Sequence, residues 1–309
     1  MNGFINVLKP PGMTSHDVVN FIRRLLGIKK VGHTGTLDPG AAGVLLICIG
    51  SATRLAGYLI DEDKEYRAEI TFGIATLSGD GYGEVTVEKD ASGLCEDEVR
   101  AVLPCFHGKI IQVPPMTSAI KLNGKKLYQL ARAGLEVDRP ERVVNINSLE
   151  FISGYNWGTP HPRAFLHLSC SKGTYVRSLC LDIGSRLGCG AHMSFLVRTA
   201  VGPYKISESL TLEEIKLLKM KNTLMEKVIN IDQVLSALPA VLVKNGAIPA
   251  VLSGAKLYPP GVAKLPGGLN EGDRVRLVGS EGFLAVAETI CDTQDIERLV
   301  FKPVCVLPR

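Results

Sequence analysis

Between Gly32 and Val44 the chain reads Gly32-His33-Thr34-Gly35-Thr36-Leu37-Asp38-Pro39-Gly40-Ala41-Ala42-Gly43-Val44, with four glycines and one carboxylate, Asp38. Glycine tolerates positive φ and lets other groups approach the backbone closely. Pro39 pushes Asp38 away from helical geometry, so the stretch predicts a loop. A lone carboxylate presented on such a loop can act as a nucleophile or a general base. Asp-Pro-Gly is equally ordinary turn chemistry, and spacing alone leaves both readings open. Other groups with chemical potential are scattered. Tyr66 starts one face of an alternating stretch, Lys64 to Gly73, shared with Ala68, Ile70 and Phe72; such a tyrosine is a core residue or an aromatic surface with a hydroxyl at its tip. Arg177 falls in the first turn of a predicted helix, where a cation opposes the helix dipole. It is easier to place there with an anionic partner than alone. Lys121, Lys125, Lys126, Arg132, Arg139 and Arg142 surround Tyr128. That mixture suits either a solvated face or a phosphate backbone with unstacked bases.

The elements that position these groups are legible in part. Phe4 to Leu8 reads as a strand, and Ser15 as the N-cap of a helix from His16 to Leu26. Val44 to Ile49 is apolar without alternation, the mark of a strand buried on both faces. Short helices are predicted near Ala52–Leu59, Gly124–Gly134 and Lys227–Leu235, and longer ones over Glu96–Phe106 and from Val176. Thr211-Leu212-Glu213-Glu214 is a capping box opening a helix to Met220. Val143–Phe151, Ala164–Cys170 and Ser194–Val201 read as strands, and Ser78 to Gly83 as a turn-rich link. From Pro239 onward short strands alternate with glycine and proline, predicting a small, separately folded all-β module.

Composition narrows the class. The 309 residues carry a formal net charge of +4, 46% hydrophobic and 21% charged residues, a globular profile that permits an anionic partner without requiring one. The eight cysteines form no CxxC pair, which gives no metal or redox motif and fits a reducing, cytoplasmic setting. No apolar run approaches the roughly 20 residues of a membrane helix. Asp61, Glu62 and Asp63 form an acidic cluster, so a paired-carboxylate hydrolase is one alternative class.

Four blocks in order are similar to one family. Lys9-Pro10-Pro11-Gly12-Met13-Thr14-Ser15, followed by Gly32-His33-Thr34-Gly35-Thr36-Leu37-Asp38-Pro39, resembles the opening of the TruB family of tRNA pseudouridine synthases. The Lys-x-Tyr-Arg strand at Tyr66, the Ser-Ala-x-Lys and Gly-Lys-Lys-Leu-Tyr segments before and through Tyr128, and Cys170-Ser171-Lys172-Gly173-Thr174-Tyr175-Val176-Arg177 match further signatures. One departure is Pro-Gly-Ala-Ala-Gly after Asp38, where Pro-Leu-Ala-Thr-Gly is commoner. The resemblance implies an α+β fold: a pseudouridine synthase domain over 1–238 with a mixed, mainly antiparallel sheet and flanking helices, a thumb-like insertion at about 114–144, and a β-barrel-like PUA module over 239–309. It implies isomerisation of the T-loop uridine at tRNA position 55. Asp38 would be the nucleophile, Arg177 its partner, and Tyr66 and Leu196 the groups that sandwich the flipped base, with Tyr66 also catalytic through a hydroxyl that could handle a proton. Tyr175 and His33 would also meet the substrate, His33 filling space vacated in the loop. Lys121, Lys125, Lys126, Tyr128, Arg132 and Lys172 would grip RNA, while Lys9 and Pro10 would support the site. The partner is the tRNA T-arm; no cofactor, metal, membrane or protein partner is expected, and the chain is expected to be a monomer. A non-catalytic RNA-binding or tRNA chaperone protein is the alternative.

Overall fold

The computed structural model describes residues 1–307 except 119, 123, 136 and 292–298, and excepting the side chains of Lys121, Lys126 and Arg132. The chain opens with strand β1 (Gly3–Lys9) and helix α1 (Ser15–Leu26). Thr14, not Ser15, caps α1: its hydroxyl accepts from the Asp17 amide at 3.0 Å, and the Asp17 carboxylate returns the bond to the Thr14 amide at 2.9 Å. This reciprocal pair satisfies two otherwise orphaned donors, and it leaves Ser15 free for a role described below. After α1 come β2 (Val31–His33), β3 (Ala42–Ile49), a 3₁₀ turn over Gly50–Leu55 and the single turn α2 (Ala56–Leu59). Then follow β4 (Lys64–Phe72) and a hairpin of β5 (Ile74–Thr76) and β6 (Val85–Glu88). That hairpin replaces the plain link expected there, because only its tip carries the turn residues. Helix α3 (Glu96–Val102) stops short of Phe106 and tightens into a 3₁₀ turn over Leu103–Phe106, since Pro104 has no amide to continue it.

The next stretch contains β7 (Gly108–Gln112), missed in the sequence, the small hairpin β8 (Lys121–Leu122) and β9 (Lys125–Lys126), and α4 (Leu127–Arg132). Long strands β10 (Arg142–Tyr155) and β11 (Arg163–Cys170) lead to α5 (Val176–Arg186), β12 (Ala191–Val201) and β13 (Tyr204–Lys205). Helix α6 (Leu212–Met220) begins at the predicted capping box. In place of one helix over 227–235 there is a 3₁₀ turn and then α7 (Ile231–Val234), because the Asn230 side chain caps a fresh start by accepting from the Asp232 amide.

The main sheet has the order β1-β3-β12-β4-β11-β10-β7, with β2 also on β3 and β13 on β12. Pairing is antiparallel except between β3 and β12. The mixed, mainly antiparallel α+β architecture is therefore the one expected. Strands β1 and β3 are covered on both faces. Ile5, Val7, Leu45 and Ile47 pack on α1 and α6, while Phe4, Val44, Leu46 and Cys48 face α7 and the chain's C-terminal part. This explains their unbroken apolar run. Strands β4, β11 and β12 bury one face against α3 and α5.

The C-terminal strands β14 (Ala240–Val243), β15 (Val262–Lys264), β16 (Arg274–Gly279), β17 (Gly282–Cys291) and β18 (Leu299–Val306), with helix α8 (Ile248–Leu252) after β14, form a second sheet in the order β15-β14-β16-β17-β18. This sheet shares a core with the first. Val286 and Leu307 pack in one apolar cluster with Phe4, Leu46 and Ile231. Arg276 bonds Asp232 at 2.8 Å, and Arg54 donates to the Val306 carbonyl at 3.1 Å. Cutting the chain before Pro239 would uncover that cluster. A 1–238 protein is expected to be insoluble or to melt well below the full chain, as thermal denaturation and size-exclusion chromatography would show; a soluble, equally stable fragment would mean that the shared cluster contributes little.

Candidate active site

The loop between β2 and β3 is tethered along its length. The Thr34 amide donates to the Leu46 carbonyl at 3.1 Å. Ser15, released from capping duty, accepts from the Leu37 amide at 2.9 Å and donates back to the Leu37 carbonyl at 3.1 Å. Lys9 is completely buried, and its ammonium donates to the carbonyls of Ala41 at 2.7 Å, Pro39 at 3.3 Å and Pro10 at 2.8 Å. Burial draws its pKa down to about 8, with Asp38 pulling the other way. The Ala41 amide closes a turn onto the Asp38 carbonyl at 3.1 Å. Asp-Pro-Gly is thus a turn and a rigid platform at once, held from below by Lys9, which also bonds the Pro10 carbonyl.

Asp38 points from that platform to Arg177 in the first turn of α5. Nε lies 3.0 Å from Oδ2 of Asp38, and Nη2 donates to Oδ1 at 3.3 Å. This two-point contact fixes the carboxylate plane. The remaining guanidinium hydrogens reach the carbonyls of Ser78 at 3.2 Å and Thr117 at 3.3 Å, and the Thr117 hydroxyl. A second carboxylate, Asp80, stands 3.6 Å from Nη1. Asp80 was not singled out in the sequence; its one signal was a carboxylate in another glycine-rich turn, Ser78-Gly79-Asp80-Gly81. Burial raises the Asp38 pKa, Arg177 opposes the rise, Asp80 adds to it and Lys9 opposes it. The Asp38 side chain keeps 33% of its surface toward open space while that of Arg177 keeps 4%, so water moderates the desolvation of the acid far more than that of its partner.

Asp38, Arg177 and Leu196 form the boundary between two cavities. The smaller, of about 290 Å³, is lined by Tyr66, Tyr175, Lys64, Arg198 and the 171–174 turn. The larger, of about 620 Å³, has an apolar wall of Leu77, Tyr82, Met116, Met193 and Phe195 and also touches Tyr128. Sheet register explains the grouping. Directly opposed residues share a face; Tyr66 opposes Arg198, and Ala68 opposes Leu196. The Tyr66 phenol is buried, which raises its pKa and keeps it protonated. Tyr175 immediately precedes α5, and its backbone is held by Gln112 on β7.

Other expected site residues lie farther out. His33 ends β2 and lines neither cavity; burial lowers its imidazole pKa, which disfavours the charged form. Lys172 lines the smaller cavity and pairs with Asp61 at 2.7 Å. Lys125 is exposed on β9. The side chains of Lys121, Lys126 and Arg132 lie outside the described residues. Among the described residues no cluster of three His, Cys, Asp or Glu could hold a metal ion, and no helix is long and apolar enough to cross a membrane.

Gly43 brings β3 and β12 together at this point. Its φ is +115°, and an added Cβ would stand 2.1 Å from the Arg198 carbonyl oxygen. Gly43→Ala is expected to destabilise the protein by roughly 2–4 kcal/mol in urea denaturation; a change within about 0.5 kcal/mol would show that the two strands can part without cost.

Residues 23–176 match the model of the TruB family pseudouridylate synthase N-terminal domain, residues 177–243 that of the tRNA pseudouridylate synthase B C-terminal domain, and residues 239–304 that of the PUA domain. The chain is 63% identical over 309 residues to tRNA pseudouridine synthase B of Pelotomaculum thermopropionicum, covering 100% of this chain and 98% of that protein. It is 57% identical over 215 residues to the protein of the same name from Symbiobacterium thermophilum, covering 70% of this chain and 71% of that one. Among solved structures, a chain of the archaeal box H/ACA sRNP Nop10-Cbf5 complex superposes with a TM-score of 0.73 at 29% identity, over 98% of this chain and 85% of its own. With family models matched over residues 23–243 and a relative 63% identical along the whole chain, the chain belongs to the TruB family of pseudouridylate synthases.

Proposed function

We propose that this chain makes pseudouridine in tRNA by isomerising the T-loop uridine at position 55, with Asp38 as the nucleophile. The observation that carries the reading is the two-point Asp38–Arg177 pair at the mouth of a cavity walled by Tyr66 and Leu196. A stacked base cannot reach Asp38, so the uridine leaves its stack and enters the smaller cavity. Tyr66 and Leu196 sandwich the ring. Arg177 keeps Asp38 ionised and aimed. The N1–C1′ bond breaks, the uracil turns, C5 bonds C1′, the C5 proton leaves and N1 takes up a proton. Closed walls hold water away while the base is detached. No cofactor enters this scheme.

The thumb at about 114–144 and the PUA module over 239–309 divide the gripping of RNA. In this reading Tyr128 and Lys125 meet nucleotides of the T-arm, with Lys121, Lys126, Arg132 and Lys172 as further contacts with the backbone. Tyr175 and His33 serve the substrate end of the site. The chain acts as a monomer in the cytoplasm. A tRNA-binding protein without catalysis is disfavoured, because it would have no use for a partly desolvated Asp38 on a buried arginine. The test is incubation with unmodified tRNA followed by mapping of pseudouridine. Pseudouridine at position 55 with no free uracil is expected; released uracil, or an unchanged uridine under conditions in which the tRNA is bound, would overturn the reading.

A further inference from the structure

Arg198 is 2% exposed, and its donors go to carbonyl oxygens in place of a carboxylate. Nε donates to Val44 at 2.7 Å, Nη2 to Gly35 at 3.1 Å and Nη1 to Thr36 at 3.4 Å. The same guanidinium therefore ties the start of the Asp38 loop to the beginning of strand β3. Lys9 clamps the other half of the loop, at Pro39 and Ala41, from β1. Arg198 also stands opposite Tyr66 in the β4–β12 register, and its charge opposes the rise in the phenol's pKa. Both side chains line the smaller cavity. A buried cation with no carboxylate partner among the described residues is costly to keep. Neighbouring Lys9, His33 and Lys64 each feel its charge as a repulsion. A neutral side chain of similar length would fill the space without that penalty but could not hold loop and ring together.

We infer that Arg198 is a positioning residue for pseudouridine formation: one guanidinium sets the spacing between the Asp38 loop and the Tyr66 ring, so that the nucleophile meets the stacked base at a reactive distance. The inference rests on the reading of Asp38 as nucleophile and Tyr66 as stacking partner. Arginine suits the task because its planar fork reaches three carbonyls from one centre beside the Tyr66 ring, whereas a lysine ammonium cannot span them. A misplacement of about 1 Å at a reacting group costs on the order of 100-fold in rate.

The experiment compares Arg198→Lys, Arg198→Met, Tyr66→Phe and the Arg198→Met/Tyr66→Phe double variant in full-length protein. Single-turnover pseudouridine formation at saturating tRNA, tRNA Kd and thermal melting are measured. Arg198→Lys is expected to fold, to bind tRNA within about threefold of wild type, and to lose roughly 10- to 100-fold in saturating rate. Arg198→Met is expected to lose more, but its added loss on the Tyr66→Phe background should shrink several-fold, because the phenol that feels the guanidinium charge is already gone. A purely structural arginine would give the same added loss on both backgrounds, and that result overturns the inference. So does a wild-type rate for Arg198→Lys. Should Arg198→Met fail to fold, the lysine variant alone decides. Asp38→Asn measured in parallel separates the two readings: an active Asp38→Asn protein sinks the nucleophile, while an inactive one beside a fully active Arg198→Lys sinks only the role of Arg198.

Discussion

The Asp38→Asn protein is expected to bind tRNA within about threefold of wild-type affinity and to lose pseudouridine formation by at least about 10³-fold. Asparagine keeps the shape of the side chain and its place on the turn, so the loop tethers through Ser15, Lys9 and Arg198 are untouched. Arg177 keeps Asp80, Ser78 and Thr117. What disappears is the negative oxygen. The direction of the Asp38 pKa adds a second readout. Its folded-state value lies above the ordinary carboxylate value, chiefly through burial. The folded protein therefore holds that proton more tightly than the unfolded chain does. Ionised Asp38 costs stability above its raised pKa, and the cost fades as pH falls through that pKa toward the unfolded value. Asp38→Asn should thus melt no lower than wild type near pH 7, with the two converging in acid. Wild-type turnover would remove Asp38 from the mechanism; a lower melting temperature near pH 7 would mean that attraction to Arg177 outweighs burial.

How far the site could be read from the chain depended on the range of the interaction. Local features were legible: the turn at Asp38, the capping box at Thr211, the alternation that sets Tyr66 beside Ala68 and Ile70. So was the double-sided burial of Val44–Ile49, because it leaves an unbroken apolar run. Arg177 lies 139 positions from Asp38, and no spacing rule pairs them. A cation in the wrong turn of a helix hinted at a partner, and only resemblance said which. Asp80 and Arg198 escaped notice because their environments are made by tertiary packing. Asp80 sits in a turn that reads as solvent-facing. Arg198 lies in an apolar strand, where an arginine reads as an outward residue until the register turns it toward Tyr66. The C-terminal sheet was legible as a separate block of strands, but nothing local to Val286 or Leu307 marks them as serving both sheets. Their packing against Phe4 and Leu46 is a property of the assembled chain.

Replacing Arg177 should produce a loss of a different character from that of Asp38→Asn, one that depends on pH. Arg177 lies between two carboxylates, 3.0 Å from Asp38 and 3.6 Å from Asp80. Lysine preserves the charge but not the fork, so Asp38 is held at one point where it had been held at two, and Thr117 and Ser78 lose donors. The saturating single-turnover rate of Arg177→Lys is expected to fall about 10²-fold, with tRNA affinity changing much less. Arg177→Met goes further. It leaves Asp38 and Asp80 as near neighbours in a partly desolvated site, with Lys9 as the cation still acting on Asp38. Each carboxylate then disfavours ionisation of the other, so the Asp38 pKa climbs above its already raised value. Catalysis needs the ionised form. The acid limb of the rate profile should therefore move to higher pH, and Arg177→Met should regain part of its activity as pH rises. Removing the second carboxylate as well, in Arg177→Met/Asp80→Asn, should move that limb back toward lower pH while the rate on the plateau stays depressed, because aim is still lost. The pH dependence of single-turnover rates for these variants decides the matter. A profile unmoved by Arg177→Met would show that the arginine acts by geometry alone, and an unchanged plateau rate in Arg177→Lys would show that it does not aim Asp38 at all.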